Sequence, residues 1–132
     1  MRPEGLFVYG TLKAGERAAG LAERVGLLRR EPAVAEGLVL YELPAGYPAA
    51  APGPGRVVGE FLVFRDLGRA LALLDHYEEV GREYLRRPLW VRTPGGARLA
   101  WVYLYPDARA ARRAGGRRLW DGRWSGRLRK KP

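Results

Sequence analysis

Short apolar runs, separated by glycine and proline, divide the first half of the chain into predicted strands. Aromatic and branched residues predict a first strand over residues 6–12 and a second over residues 37–43. Alternating apolar and polar positions predict a third strand over residues 56–64. Four prolines and three glycines in residues 44–55 predict a long loop. Apolar residues in residues 15–30 have helical spacing, but the glycines among them disfavour a helix, so we expect a loop with at most a short helix.

The clearest helical pattern follows Asp66, a favourable N-cap, and predicts a helix over residues 67–77. Its apolar face is formed by residues at i, i+4 and i+7, which are Leu67, Leu71 and Leu74. Glu78 at i+11 falls within about 20° of the first of these around the helix axis. Burial there would raise the pKa of the Glu78 carboxyl toward the range useful for acid–base catalysis. The alternative is that the helix frays before Glu78, or that an arginine pairs with it.

The second half of the chain begins with a predicted hairpin. Its strands cover residues 84–93 and 97–105, and Pro94-Gly95-Gly96 forms the turn between them. After Pro106, residues 108–114 predict a short helix, and we expect the remainder to be flexible. This order of elements is mainly β, with one dominant helix between the third and fourth strands, and it predicts one domain, residues 1–106, followed by a basic C-terminal extension, residues 107–132.

The strand end at Gly10 is the first candidate for chemistry. A glycine there permits close approach of a ligand or another strand, and successive N–H groups can bind a carboxylate or a developing oxyanion. The alternative is an ordinary bulge beside a packed Tyr9. The glycines match neither a Walker A nor a dinucleotide-binding pattern.

Positive charge is concentrated in the C-terminal extension. Residues 107–132 contain ten arginines and lysines and two aspartates, a net +8, whereas the whole chain carries +10. Trp120 and Trp124 alternate with these cations, a pattern that can stack bases and neutralise phosphates. Weak polyanion binding is therefore one prediction. The alternative is a solvated extension that docks on the body of the protein through its tryptophans.

Composition excludes several classes of protein. The chain has no cysteine and one histidine, which excludes disulfides and thiolate chemistry and leaves little room for a metal centre. Ser125 is the one serine and lies in the basic extension, so a serine hydrolase is disfavoured. No apolar run approaches the roughly 20 residues of a membrane span, and no signal peptide is apparent, so we expect a cytoplasmic protein. The absence of Asn and Gln fits a thermophilic source, and the excess of Arg, Ala, Gly and Pro fits GC-rich coding equally.

Several segments in a fixed order over roughly residues 5–105 resemble the gamma-glutamylcyclotransferase-like family, which includes the gamma-glutamylamine cyclotransferases. They are Val8-Tyr9-Gly10-Thr11-Leu12-Lys13, Leu40-Tyr41, Gly46-Tyr47-Pro48, Val58-Gly59-Glu60, Leu74-Asp75-His76-Tyr77-Glu78 and Tyr84-Leu85-Arg86-Arg87. The resemblance implies an α+β fold, a small, mainly antiparallel β-barrel flanked by helices. It implies that Tyr9, Gly10, Thr11 and Leu12 cradle a gamma-glutamyl group and that Glu78 is the acid–base catalyst. We expect Tyr84 to be a further pocket wall or hydrogen-bond partner.

The function implied by this resemblance is an intramolecular cyclisation. The α-amine of a small gamma-glutamyl substrate attacks its own γ-amide carbonyl and releases 5-oxoproline and a free amine. We expect no metal or cofactor, because the nucleophile is already held near its target. The sequence does not identify the leaving amine. The competing class is a non-catalytic binding module that uses the basic extension to bind nucleic acid or an acidic partner.

Overall fold

The computed structural model describes residues 1–79 and 84–126, with the backbone alone at residues 78 and 79. Six strands and three helices follow one another along these residues. They are β1 (Gly5–Val8), α1 (Ala19–Arg24), β2 (Leu27–Glu42), β3 (Pro48–Phe64), α2 (Leu67–Glu79), β4 (Leu85–Thr93), β5 (Gly96–Leu104), α3 (Ala108–Arg113) and β6 (Arg117–Arg118). No helix among the described residues is long and apolar enough to cross a membrane.

Five of the strands close into a small barrel. They lie in the order β3, β1, β5, β4, β2, and β2 pairs back with β3 to complete the ring. Strands β1 and β5 run parallel, whereas the other pairs in the described residues are antiparallel. Strand β6 pairs with the end of β2, outside the ring. The predicted α+β fold, with a mainly antiparallel barrel flanked by helices, is confirmed.

Strand β1 is buried on both faces. Phe7 packs in the barrel core, together with Val57 and Val102. Leu6, on the opposite face, packs with Leu74 of α2 in a second cluster between the barrel and the helices. Complete burial of each of these large side chains contributes about 1.5–3 kcal/mol to stability. Because both faces are covered, β1 is a continuous apolar run without alternation.

Helix α2 confirms the predicted helix. The Asp66 carboxylate accepts a hydrogen bond from the Arg69 N–H at 3.1 Å and so caps the helix. Leu71 and Leu74 are buried on its inner face. The helical backbone continues past Glu78, as the periodicity argument requires. The side chain of Glu78 lies outside the described residues, so its burial stays a prediction.

The long loop predicted over residues 44–55 is wrong, because β3 already begins at Pro48. The chain reverses in a short turn, in which the Leu43 N–H donates to the Tyr47 carbonyl at 2.8 Å. The glycines that follow permit close packing. A Cβ atom at Gly53 would lie 2.8 Å from the side chain of Val39 on β2. Glycine and proline in this segment therefore mark two closely packed strands.

Two predicted strand boundaries are also corrected. Strand β1 ends at Val8, so the rest of the predicted strand over residues 6–12 forms a turn. Strand β2 begins at Leu27, well before its predicted start at residue 37, and its pairing with β3 shifts register near Gly37. The short helix expected within residues 15–30 is α1.

The hairpin is confirmed by β4 and β5, and the short helix after Pro106 by α3. The flexible remainder is wrong for residues 115–126. These residues include β6, and Trp124 is 2% exposed and lies in the barrel core cluster. The division into a domain of residues 1–106 and an extension of residues 107–132 stays a prediction about independent folding.

Candidate active site

A pocket opens where the chain leaves the barrel at the end of β1. Its space, including the part open to solvent, is about 420 Å³. It is lined by Phe7, Val8, Tyr9, Gly10, Thr11, Leu12, Tyr47, Pro48, Tyr77, Tyr84 and Tyr103. Five of the seven tyrosines of the chain are in this set, so the wall is mainly aromatic with polar tips. An apolar, aromatic lining with a few polar tips is typical of a small-molecule site.

The predicted substrate-binding residues meet in this pocket. Tyr9, Gly10, Thr11 and Leu12 form one wall, and Tyr84, which precedes β4, joins them from far along the chain. The side chain of Glu78 lies outside the described residues, although its backbone follows the pocket-lining Tyr77 directly.

In the turn after β1, residues 10–18, backbone carbonyl groups accept hydrogen bonds from N–H groups later in the same turn. The Gly10 carbonyl accepts from the Lys13 N–H at 3.1 Å, and the Thr11 carbonyl accepts from the Ala18 N–H at 2.9 Å. In a trans peptide unit the N–H points opposite to the C=O, so these bonds fix the directions of the Thr11 and Leu12 N–H groups. Neither N–H donates to another of the described residues. Within the described part of the chain, two oriented N–H donors at pocket-lining residues therefore have no acceptor.

An ion pair reinforces the turn. Nη1 of Arg30, on β2, donates to the Leu12 carbonyl at 2.9 Å and to Oε1 of Glu60, on β3, at 2.6 Å. The same carboxylate oxygen accepts from the Ala14 N–H at 3.0 Å. Both charged side chains are largely buried, at 18% and 22% exposed. Two strands of the barrel therefore hold the turn in place.

The hydroxyl groups of the pocket-lining Tyr9 and Tyr84 form hydrogen bonds with backbone groups of the protein. The Tyr9 hydroxyl donates to the Tyr103 carbonyl at 2.6 Å and accepts from the Ala50 N–H at 3.2 Å. The Tyr84 hydroxyl donates to the Pro48 carbonyl. These bonds fix the rings as walls of the pocket, which favours a positioning role for Tyr9 and Tyr84.

The end of α2 is joined to the pocket and to the hairpin. The hydroxyl groups of Tyr77 and Thr11 lie 3.1 Å apart in a hydrogen bond between helix and turn. Asp75 accepts two hydrogen bonds from Arg86, at 2.8 and 3.0 Å, and one from the Tyr103 hydroxyl at 2.6 Å. A bidentate arginine–carboxylate pair has a defined orientation. This network fixes the last turn of α2, which also carries the backbone of Glu78.

Six of the pocket-lining residues were not predicted as site residues: Phe7, Val8, Tyr47, Pro48, Tyr77 and Tyr103. Four of them, Val8, Tyr47, Pro48 and Tyr77, lie inside segments that carry the family resemblance, so those segments contained a signal for them. Tyr103 is different, because it enters the pocket through the pairing of β5 with β1. Only the three-dimensional arrangement identifies it.

The chain belongs to the gamma-glutamyl cyclotransferase, AIG2-like family, whose model matches residues 6–126. The match extends 21 residues beyond the segment that carries the sequence resemblance, and it includes α3, β6 and Trp124. The family includes cyclotransferase enzymes. No curated protein matches the chain.

Solved structures share the fold. An AIG2-like protein from Mus musculus is 26% identical, with a TM-score of 0.62 over 79% of this chain and 78% of its own. YkqA from Bacillus subtilis is 23% identical, with a TM-score of 0.67 over 93% of this chain. An uncharacterized protein from Pyrococcus horikoshii is 24% identical, with a TM-score of 0.60 over 94% of this chain and 91% of its own. This chain spans 40% of the length of YkqA.

Proposed function

We propose that the protein is a gamma-glutamyl cyclotransferase. The observation that carries the proposal is the pair of oriented N–H groups at Thr11 and Leu12, which donate to none of the described residues and belong to residues that line an aromatic pocket beside the end of α2. Membership of the family supports the same reaction class. The substrate is a small molecule with a gamma-glutamyl group linked through its γ-amide to an amine.

In the proposed reaction, the carboxylate of Glu78 takes a proton from the α-ammonium of the substrate. The freed amine attacks the γ-carbonyl carbon, and the new C–N bond closes a five-membered ring. The Thr11 and Leu12 N–H groups stabilise the negative charge that develops on the carbonyl oxygen. As the bond to the leaving nitrogen breaks, Glu78 returns its proton to that nitrogen, and the ring nitrogen loses its second proton, which the released amine takes up as an ammonium ion; the products are 5-oxoproline and the free amine.

The test is a panel of gamma-glutamyl compounds with different leaving amines, assayed for 5-oxoproline. A matched control is each compound with its α-amine acetylated, because this group can no longer act as the nucleophile. We expect 5-oxoproline from at least one free-amine compound and no reaction of its acetylated partner. Release of the amine from both, with glutamate or its N-acetyl derivative as the other product, would indicate hydrolysis and contradict the proposal.

The net +8 of residues 107–132 motivates a secondary proposal, weak attraction to polyanions. Such binding should weaken steeply with salt, since it depends on counterion release. Removal of residues 127–132 deletes four positive charges, and we expect retention on heparin to fall while 5-oxoproline formation persists. Unchanged retention of the shortened protein would contradict this proposal.

A further inference from the structure

The C-terminal segment, residues 119–126, lies across the barrel. The Leu119 N–H donates to the Leu40 carbonyl, and the Gly122 carbonyl accepts from the Val58 N–H, both at 2.8 Å. Gly122 has φ +71°, and a Cβ atom there would lie 2.1 Å from the carbonyl oxygen of Arg56. A glycine is therefore required for this close crossing.

The same segment contacts the back of the turn after β1. Lys13 Nζ donates to the Trp124 carbonyl at 2.5 Å, across 111 positions of sequence. The Gly126 N–H donates to Oε1 of Glu16 at 3.1 Å, across 110 positions. The Glu16 N–H in turn donates to the Lys13 carbonyl at 3.1 Å. Two neighbouring points of the turn are thus tied to the C-terminal segment.

The Trp124 side chain anchors this arrangement. It is 2% exposed and belongs to the core cluster that also contains Tyr9, the first residue of the pocket wall. The carbonyl that Lys13 binds is therefore held by a buried ring. Lys13 itself is not among the residues that line the pocket, so its contact acts on the turn from outside.

We infer that the C-terminal segment holds the turn in the shape that leaves the Thr11 and Leu12 N–H groups open, with Lys13 as the positioning residue that links the two. The inference rests on the proposed function for the identity of the ligand. Reactions that depend on orientation are sensitive to small displacements, and a shift of about 1 Å can cost 10²-fold in rate. Loss of the Lys13 contact should therefore reduce turnover without removing any group that touches the substrate.

The experiment compares Lys13→Met, which removes the donor at similar length, with Lys13→Arg, which keeps one. Arg29→Met is the matched control, because Arg29 is exposed, on β2, and makes no contact with the turn among the described residues. The first readout is amide hydrogen exchange at Ala18, whose N–H bonds to the Thr11 carbonyl and therefore reports on closure of the turn. The second readout is kcat/KM for 5-oxoproline release.

We expect Lys13→Met to speed exchange at Ala18 by about tenfold, the equivalent of one ordinary hydrogen bond. We also expect kcat/KM to fall by about 10- to 100-fold. Lys13→Arg should restore most of both quantities, and Arg29→Met should change neither.

Unchanged exchange at Ala18 in Lys13→Met would overturn the inference. So would faster exchange with unaltered kcat/KM, because the link would then be structural only. A wild-type protein that releases no 5-oxoproline from any compound would instead contradict the proposed function. The exchange readout would still report on the link in that case.

Discussion

The turn after β1 lines the pocket with Gly10, Thr11 and Leu12, whereas the C-terminal segment contacts the turn at Lys13 and Glu16, which are not pocket-lining residues. In the turn, carbonyl groups accept hydrogen bonds from behind, whereas the Thr11 and Leu12 N–H groups donate to none of the described residues. In the C-terminal segment, the N–H groups of Leu119, Gly122 and Gly126 all donate to other groups of the protein. An open, oriented donor is useful only where a ligand can satisfy it. The difference separates a segment suited to binding from one suited to support.

Substitution of Glu78 is the strongest test of the proposed pocket chemistry, since this residue should carry out the proton transfers. Glu78→Gln keeps the shape of the side chain and removes its titrating group. We expect turnover to fall by about 10²–10⁴-fold, the usual contribution of a positioned general acid–base group. Glu79→Gln is the matched control, because it lies about 100° around the helix axis and should be nearly silent. Steady-state rates of 5-oxoproline release compare the two. If Glu79→Gln is inactive and Glu78→Gln is active, then Glu79 rather than Glu78 is the acid–base group.

Two tryptophans in the C-terminal segment give a second test. Trp124 is 2% exposed, whereas Trp120 is 81% exposed and stacks on Arg118 at 4.1 Å. Trp124→Ala should lower the free energy of unfolding by about 3–5 kcal/mol, because it leaves a cavity in the barrel core. Trp120→Ala should cost at most about 1 kcal/mol, the value of an exposed cation–π contact. Denaturant unfolding measures both. Equal costs would mean that the C-terminal segment is not docked as described.

Gly10 begins the turn and packs against Pro48, another residue of the pocket wall. A Cβ atom at Gly10 would lie 2.4 Å from Cγ of Pro48, whose carbonyl accepts from the Tyr84 hydroxyl. Gly10→Ala should therefore displace this wall, cost about 1–3 kcal/mol of stability and weaken the thermal shift produced by a substrate. Gly20→Ala has no atom within 4 Å of the added Cβ, lies in α1, and should be neutral or stabilising by up to about 1 kcal/mol. If Gly10→Ala proves as stable as Gly20→Ala, the ring of Pro48 has room to move.

Local patterns in the sequence predicted the elements that local physics controls. The Asp66 cap, the Leu71 and Leu74 face and the Pro-Gly-Gly hairpin each act within a few residues, and all were correct. Residues 44–55 failed because their small residues serve the packing of two strands, which composition does not distinguish from a loop. The place of Tyr103 in the pocket wall and the burial of Trp124 depend on contacts between distant parts of the chain. Glycine at the strand end pointed to the turn, but the hydrogen bonds that leave its N–H groups open became apparent only in three dimensions.

The smallest expected effect concerns the charge of Lys13, at the contact between the two regions. Burial lowers the pKa of Lys13 from its ordinary value of 10.5; Glu16 and Glu60 oppose this shift, and Arg123 adds to it. Between the lowered pKa and 10.5 the unfolded chain binds more protons at this residue than the folded protein does. The Lys13 contribution to stability should therefore rise with pH through that window.

Urea unfolding of the wild type and of Lys13→Met at a series of pH values up to 10.5 measures this contribution as the difference between the two free energies of unfolding. That difference should move in favour of the wild type as pH rises, whereas the difference from Arg29→Met, which removes an exposed cation, should stay flat. A pH-independent difference for Lys13→Met would mean that Lys13 is fully solvated, and the contact with the Trp124 carbonyl would then lose its structural support.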